Sequence, residues 1–143
     1  YCTSDQDCPL FENCLGLAVK DGATGLVRGY AAVCQRIEGS AVSCASQAAC
    51  ATASEKCIAV VDANTFGPRY VCAEVRDDTA LGRSCDTTAC PAGYFCGGGD
   101  VGKVCTFPCP GGAADCPGGF SCNNVTFSSV TTPTTSMPAC LAN

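Results

Sequence analysis

The sequence predicts a small, disulfide-rich, mainly β fold: four tandem cysteine-rich units, each a short turn-rich loop followed by a β-hairpin, with little helix. Three observations predict it. Sixteen of the 143 residues are cysteine, above the roughly 8–10% that marks a disulfide scaffold, and the even count lets every thiol find a partner. The cysteines recur in fours with two near-constant gaps and one elastic gap, the mark of an internal repeat. Turn-forming residues and apolar runs alternate at that same period.

The four sets are Cys2, Cys8, Cys14, Cys34; Cys44, Cys50, Cys57, Cys72; Cys85, Cys90, Cys96, Cys105; and Cys109, Cys116, Cys122, Cys140. Five, five, four and six residues separate the first two cysteines, and five, six, five and five the next two. The last gap runs nineteen, fourteen, eight and seventeen. Units are therefore expected at residues 1–41, 42–83, 84–107 and 108–143.

Each unit has a physical logic. The leading loop, as in Thr3-Ser4-Asp5-Gln6-Asp7, favours side-chain-to-backbone hydrogen bonds and a single helical turn. Proline follows the second cysteine at Pro9, Pro91 and Pro117 and stiffens the chain. Unit 2 has Ala51 there, and its Ala45-Ser46-Gln47-Ala48-Ala49 run predicts a helical turn. Beyond the third cysteine a hairpin is expected: Leu15–Val19 with Tyr30–Val33 around Lys20-Asp21-Gly22, and Ile58–Val61 with Arg69–Val71. In unit 3 Gly97-Gly98-Gly99-Asp100 is expected to be the hairpin tip. Tip length is cheap to vary because loop closure grows only logarithmically.

A unit this small cannot bury enough surface to fold alone, and a bridge closing about 15 residues supplies roughly 3 kcal/mol in the chain-entropy account. Four cysteines allow three pairings, and spacing does not choose among them. The expected order is first-to-third and second-to-fourth, which staples the leading loop onto both hairpin strands: Cys2–Cys14, Cys8–Cys34, Cys44–Cys57, Cys50–Cys72, Cys85–Cys96, Cys90–Cys105, Cys109–Cys122 and Cys116–Cys140.

Composition narrows function. Disulfides at this density belong to an oxidising compartment, so an extracellular, secreted or cell-surface protein is expected. Neither Cys-x-x-Cys nor Cys-x-Cys occurs, against the tight knuckle of a zinc site; no metal or other cofactor is expected. Histidine is absent, which removes imidazole-based nucleophile chemistry, and no catalytic residues are assigned. The eight basic residues are scattered and net charge is −5, so no nucleic-acid partner is expected. No apolar run reaches the roughly 20 residues of a membrane span, so no membrane insertion is expected. The start at Tyr1-Cys2 has the look of a processed end.

The phrases CPAGYFC (Cys90–Cys96) and CPGGFSC (Cys116–Cys122) resemble short extracellular cysteine-rich modules of the EGF-like, EB and Dickkopf types. The likeness lies in spacing; those families mostly use six or more cysteines per module, against four here. It implies an extracellular stapled array with a binding or structural task.

Several residues are candidate sites. Asn124-Val125-Thr126 is an N-glycosylation sequon. The run from Thr126 to Ser136 holds eight hydroxyl residues around Pro133, the composition of an O-glycosylated stretch, with Thr131, Thr132, Thr134 and Thr135 the candidates; its other reading is a strand with exposed threonines. Asp5 with Asp7, or Asp77 with Asp78, are calcium candidates lacking a full ligand set. Mean hydropathy is positive, and Leu15, Leu17, Val19, Leu26, Val27, Ile58, Val60 and Val61 cannot all hide within their own thin units. Either neighbouring units cover them or they form an interface. The expectation is an extracellular structural or adhesive glycoprotein, a repeat rod that self-associates into a filament or surface coat. The alternative is a secreted binding module: a receptor ligand, a host-interaction effector, or a protease inhibitor presenting Arg28 or Arg69.

Overall fold

In the computed structural model, which describes residues 1–24, 27–77, 79–99, 102–127 and 135–143, the chain forms four antiparallel hairpins. They are β1 (Glu12–Lys20) with β2 (Val27–Arg36), β3 (Glu55–Val61) with β4 (Pro68–Glu74), β5 (Phe95–Gly99) with β6 (Gly102–Thr106), and β7 (Phe120–Phe127) with β8 (Thr135–Ala142). Single 3₁₀ turns at Asp5–Asp7, Gln47–Ala49 and Gly112–Asp115 occupy the leading loops of units 1, 2 and 4. The fold is disulfide-rich and mainly β, as its composition predicts.

One register repeats throughout. The third and fourth cysteines of each unit face each other across the ladder: Cys14 and Cys34, Cys57 and Cys72, Cys96 and Cys105, Cys122 and Cys140. They do not bond to each other. Each takes a partner from the leading loop, giving Cys2–Cys14 and Cys8–Cys34, Cys44–Cys57 and Cys50–Cys72, Cys85–Cys96 and Cys90–Cys105, Cys109–Cys122 and Cys116–Cys140. Opposed positions in a ladder point to the same face, so two bridges rise side by side and clamp the loop there. These sulfurs, with few apolar neighbours, are the core: Cys57, Cys72, Cys105, Cys109 and Cys140 are fully buried.

An isolated antiparallel bridge adds a connector to each of units 2, 3 and 4, at Ser43 with Val71, Ser84 with Val104 and Pro108 with Ala139. The residue two before the first cysteine accepts the N–H of the fourth: Cys72 N–H to Val42 O (2.8 Å), Cys105 to Arg83 (2.7 Å), Cys140 to Phe107 (3.1 Å). The first cysteine donates in return, Cys44 N–H to Tyr70 O (3.2 Å), Cys85 to Lys103 (2.9 Å) and Cys109 to Pro138 (3.0 Å). In unit 1 the return bond, Cys2 N–H to Ala32 O (3.3 Å), is the part present. The chain thus weaves its connectors into the next sheet, satisfying backbone groups that would otherwise form a bare edge.

The glycine run of unit 3 differs from the tip expected for it. Gly97, Gly98 and Gly99 pair in register with Val104, Lys103 and Gly102. The ladder begins at the cysteines, and the eight-residue gap is so short that the strands must occupy the glycines.

Units dock through small residues and polar braces. Gly16 in β1 lies so close to unit 2 that a Cβ there would come within 2.5 Å of Val61 Cγ1. Leu15 bridges Asp62, Tyr30 stacks on Phe66 at 5.5 Å, and Arg69 pairs with Asp5 at 3.3 Å. Unit 2 also meets unit 4: Gln47 N–H donates to Asp115 Oδ1 (2.8 Å) and its Nε2 to Pro108 O (3.0 Å). Unit 4 meets unit 3 through Thr106 Oγ1, which donates to Cys140 O (2.5 Å), while Tyr94 and Phe107 pack edge-on within unit 3 (6.0 Å). Contacts therefore extend beyond sequence neighbours, as a strictly linear array would not allow.

Candidate functional site

The sulfur clusters are structural. Three Sγ atoms per unit, such as those of Cys2, Cys8 and Cys34, lie within 4.8 Å of one another, but every cysteine is in a disulfide, so none offers the thiolate a metal requires.

The carboxylates proposed for calcium serve the chain itself. Asp7 Oδ2 accepts from the N–H and hydroxyl of Thr3, both at 2.7 Å, and from Ser4 N–H at 2.9 Å; the Thr3 hydroxyl above all, with the two N–H groups, holds its carboxyl below the usual range. Asp5 Oδ1 accepts Cys14 N–H at 2.8 Å, fixing the third cysteine of unit 1. Asp77 accepts from Thr79 and, at 2.6 Å, from Arg83, and Thr79 most of all lowers its pKa. Asp78 lies outside the described residues.

Asn124 is exposed in the middle of β7, opposite Pro138, with buried Val125 on the other face. Strand alternation puts Asn124 on the face of Cys122, where it is exposed beyond the bridges. Thr131, Thr132 and Thr134 lie outside the described residues; Thr135 begins β8. The two arginines considered for an inhibitory loop are strand residues: Arg69 pairs in register with Val60 and is tied to Asp5, and Arg28 lies in β2 and binds Asp21 at 3.1 Å.

Apolar exposure is concentrated. Among the described residues, the large apolar side chains left open are Tyr1, Leu10, Phe11, Leu17, Val19, Val42 and Phe66, all in units 1 and 2. Leu15, which bridges Asp62 of unit 2, is 5% exposed, whereas Leu17 and Val19, further along the same strand face, are 49% and 48% exposed. Ile58, Val60 and Val61 are half-buried; Leu26 and the side chain of Val27 lie outside the described residues.

A second surface lies at the opposite end of β1. An open groove of about 500 Å³ runs between units 1 and 2, with Phe11, Asn13, Arg36, Glu38, Glu74 and Arg76 among its lining. One wall is the connector segment 39–41, pinned onto unit 2 by Ala41 N–H to Cys72 O (2.9 Å) and by Ser40 N–H to the Glu55 carboxylate. The Ser40 N–H, first of all, keeps the Glu55 pKa below its usual value. Gly39 (φ 115°) and Ala41 (φ 54°) on this wall, and Phe11 (φ 71°) facing them, take left-handed backbone.

Comparison of the chain with protein-family models, with curated proteins and with solved structures finds no match.

Proposed function

We propose that this is an extracellular structural protein whose copies associate through the outer part of the unit 1 hairpin, building a filament or surface coat, and that it is glycosylated at Asn124. The supporting observation is the paired exposure of Leu17 and Val19 on one face of β1. An apolar strand face left half-open is a typical interface element, and repeated contact between unlike faces of identical copies propagates without closing. The disulfide density fits an oxidising extracellular setting.

Electron microscopy and sedimentation of the purified protein over rising concentration test the proposal. Ordered assemblies that disappear with Leu17→Ser and Val19→Ser together are expected. A monodisperse monomer at high concentration overturns it. Intact mass before and after removal of N-glycans tests the Asn124 part, and an unchanged mass in material from a glycosylating host rejects it.

A further inference from the structure

In units 1, 3 and 4 the phrase after the second cysteine is a repeated turn, and unit 1 breaks its rule. Glu12 N–H bonds Pro9 O, Tyr94 bonds Pro91 and Phe120 bonds Pro117, each at 3.1 Å. The third residue of the turn has φ of 71° at Phe11, 92° at Gly93 and 88° at Gly119, the type II geometry that calls for glycine. A bulky side chain in that conformation is strained. Packing does not account for it, because Phe11 is 80% exposed. A strained residue kept without internal benefit points to an external task.

What Phe11 faces gives the task. Phe11 lines the groove between units 1 and 2 together with planar polar residues of both signs. Arg76 pairs with Glu38 at 2.8 Å; among the described residues Arg36 and Glu74 have no ion-pair partner, so a guanidinium and a carboxylate remain for a ligand. The neighbouring backbone offers little to an added peptide strand, since Cys14 N–H goes to Asp5 and Ala41 N–H to Cys72 O. Three glutamates, Glu12, Glu38 and Glu74, among the lining disfavour a phosphate. A sugar ring matches: one apolar C–H face for a flat aromatic platform, and hydroxyls that both donate and accept for Arg36, Asn13 and Glu74.

We propose that this groove is a saccharide-binding subsite with Phe11 as its stacking platform, for a neutral oligosaccharide of the pyranose class. The wall opposite is pinned by backbone hydrogen bonds, so the site is held in shape before ligand arrives. The proposal is independent of self-association.

The test is titration of the full, oxidised chain with short gluco-, N-acetylglucosamine and manno-oligosaccharides, followed by calorimetry and by NMR of the Phe11 ring. Binding by at least one, with the ring protons shifted, is the expected result. Phe11→Gly suits the turn better, so its melting temperature is expected to hold or rise while affinity falls on the order of tenfold. Phe11→Trp is expected to retain binding and Phe11→Leu to lose it. No binding across the panel, full affinity in Phe11→Gly, or full affinity in Phe11→Leu, the mark of an apolar contact without ring stacking, overturns the proposal.

Discussion

Units 2 and 3 carry the same two bridges in the same order but hold them differently. Unit 2 sets seven-residue strands over its sulfurs, and Cys57 and Cys72 are at most 1% exposed. Gln47 braces that base from three sides: Nε2 donates to Cys57 O (2.8 Å) and Pro108 O, while Oε1 accepts Cys57 N–H (2.9 Å). Unit 3 has five-residue strands rich in glycine, no 3₁₀ turn in its leading loop, and an exposed Cys96. Thr87, three residues before the second cysteine as Gln47 is, makes no such bonds among the described residues. The difference separates two roles. Covalent order fixes the register in both units, while non-covalent cover decides how far the bridge is sheltered.

Bridge removal has the largest expected effect on this contrast. Replacing Cys50 and Cys72 together by alanine is expected to cost about 3–4 kcal/mol, read by thermal denaturation, and removing Cys90 and Cys105 together to cost less, because the closed loop is shorter, with a sequence separation of 15 against 22. An equal or greater loss in unit 3 breaks the comparison. Next is the brace. Gln47→Ala strands the Cys57 N–H and two carbonyls and is expected to cost about 2 kcal/mol, whereas Thr87→Ala stays within about 0.5 kcal/mol. Third, brief treatment with a small thiol, then alkylation and mass mapping, is expected to label Cys85 and Cys96 on the order of tenfold faster than Cys44 and Cys57, since attack requires access to a sulfur. Similar rates would show that cover is irrelevant to reduction.

The smallest effect sharpens a contrast inside unit 2, between its base and its tip. Asp62 accepts the N–H groups of Thr65 (2.8 Å) and Asn64 (3.0 Å), and its pKa is lowered, first by the Thr65 N–H. A lowered carboxyl contributes stability that is complete above its ordinary value near 4 and is lost as pH falls through the folded value. Hydrogen exchange at Thr65, corrected for its intrinsic rate, is therefore expected to quicken between about pH 5 and about pH 2, with the Cys57 amide unchanged. Constant protection at Thr65 removes Asp62 as the acid-sensitive element of the tip.

The architecture was legible where spacing is governed by covalent and turn chemistry. The constant gaps mark the units, the elastic gap marks the hairpin, and apolar runs such as Leu15–Val19 and Ile58–Val61 mark strands. The connector bridges were not legible. Val42, Arg83 and Phe107 pair through backbone groups, which carry no side-chain signature. Gln47 was hidden for a related reason: one polar side chain in an alanine-rich loop gains its meaning from Pro108 and Asp115, more than sixty positions away. Unit 3 misled because glycine runs signal turns, whereas register inherited from Cys96 and Cys105 drew them into a ladder. For the groove the signal was present but unread. Aligning Phe11 with Gly93 and Gly119 places a phenylalanine where a turn wants no side chain, and only the backbone angle makes the anomaly plain.

The crossed order of the bridges sets how the chain carries tension. Load entering a unit at its first cysteine can run through the leading loop to the second and leave by the sulfur bond to the fourth. That route spans gaps of only five, five, four and six residues and bypasses the nineteen, fourteen, eight and seventeen held between third and fourth cysteines. Pulled from both ends, the oxidised chain can lengthen in its leading loops and connectors while the contour length within each hairpin stays out of the line of force.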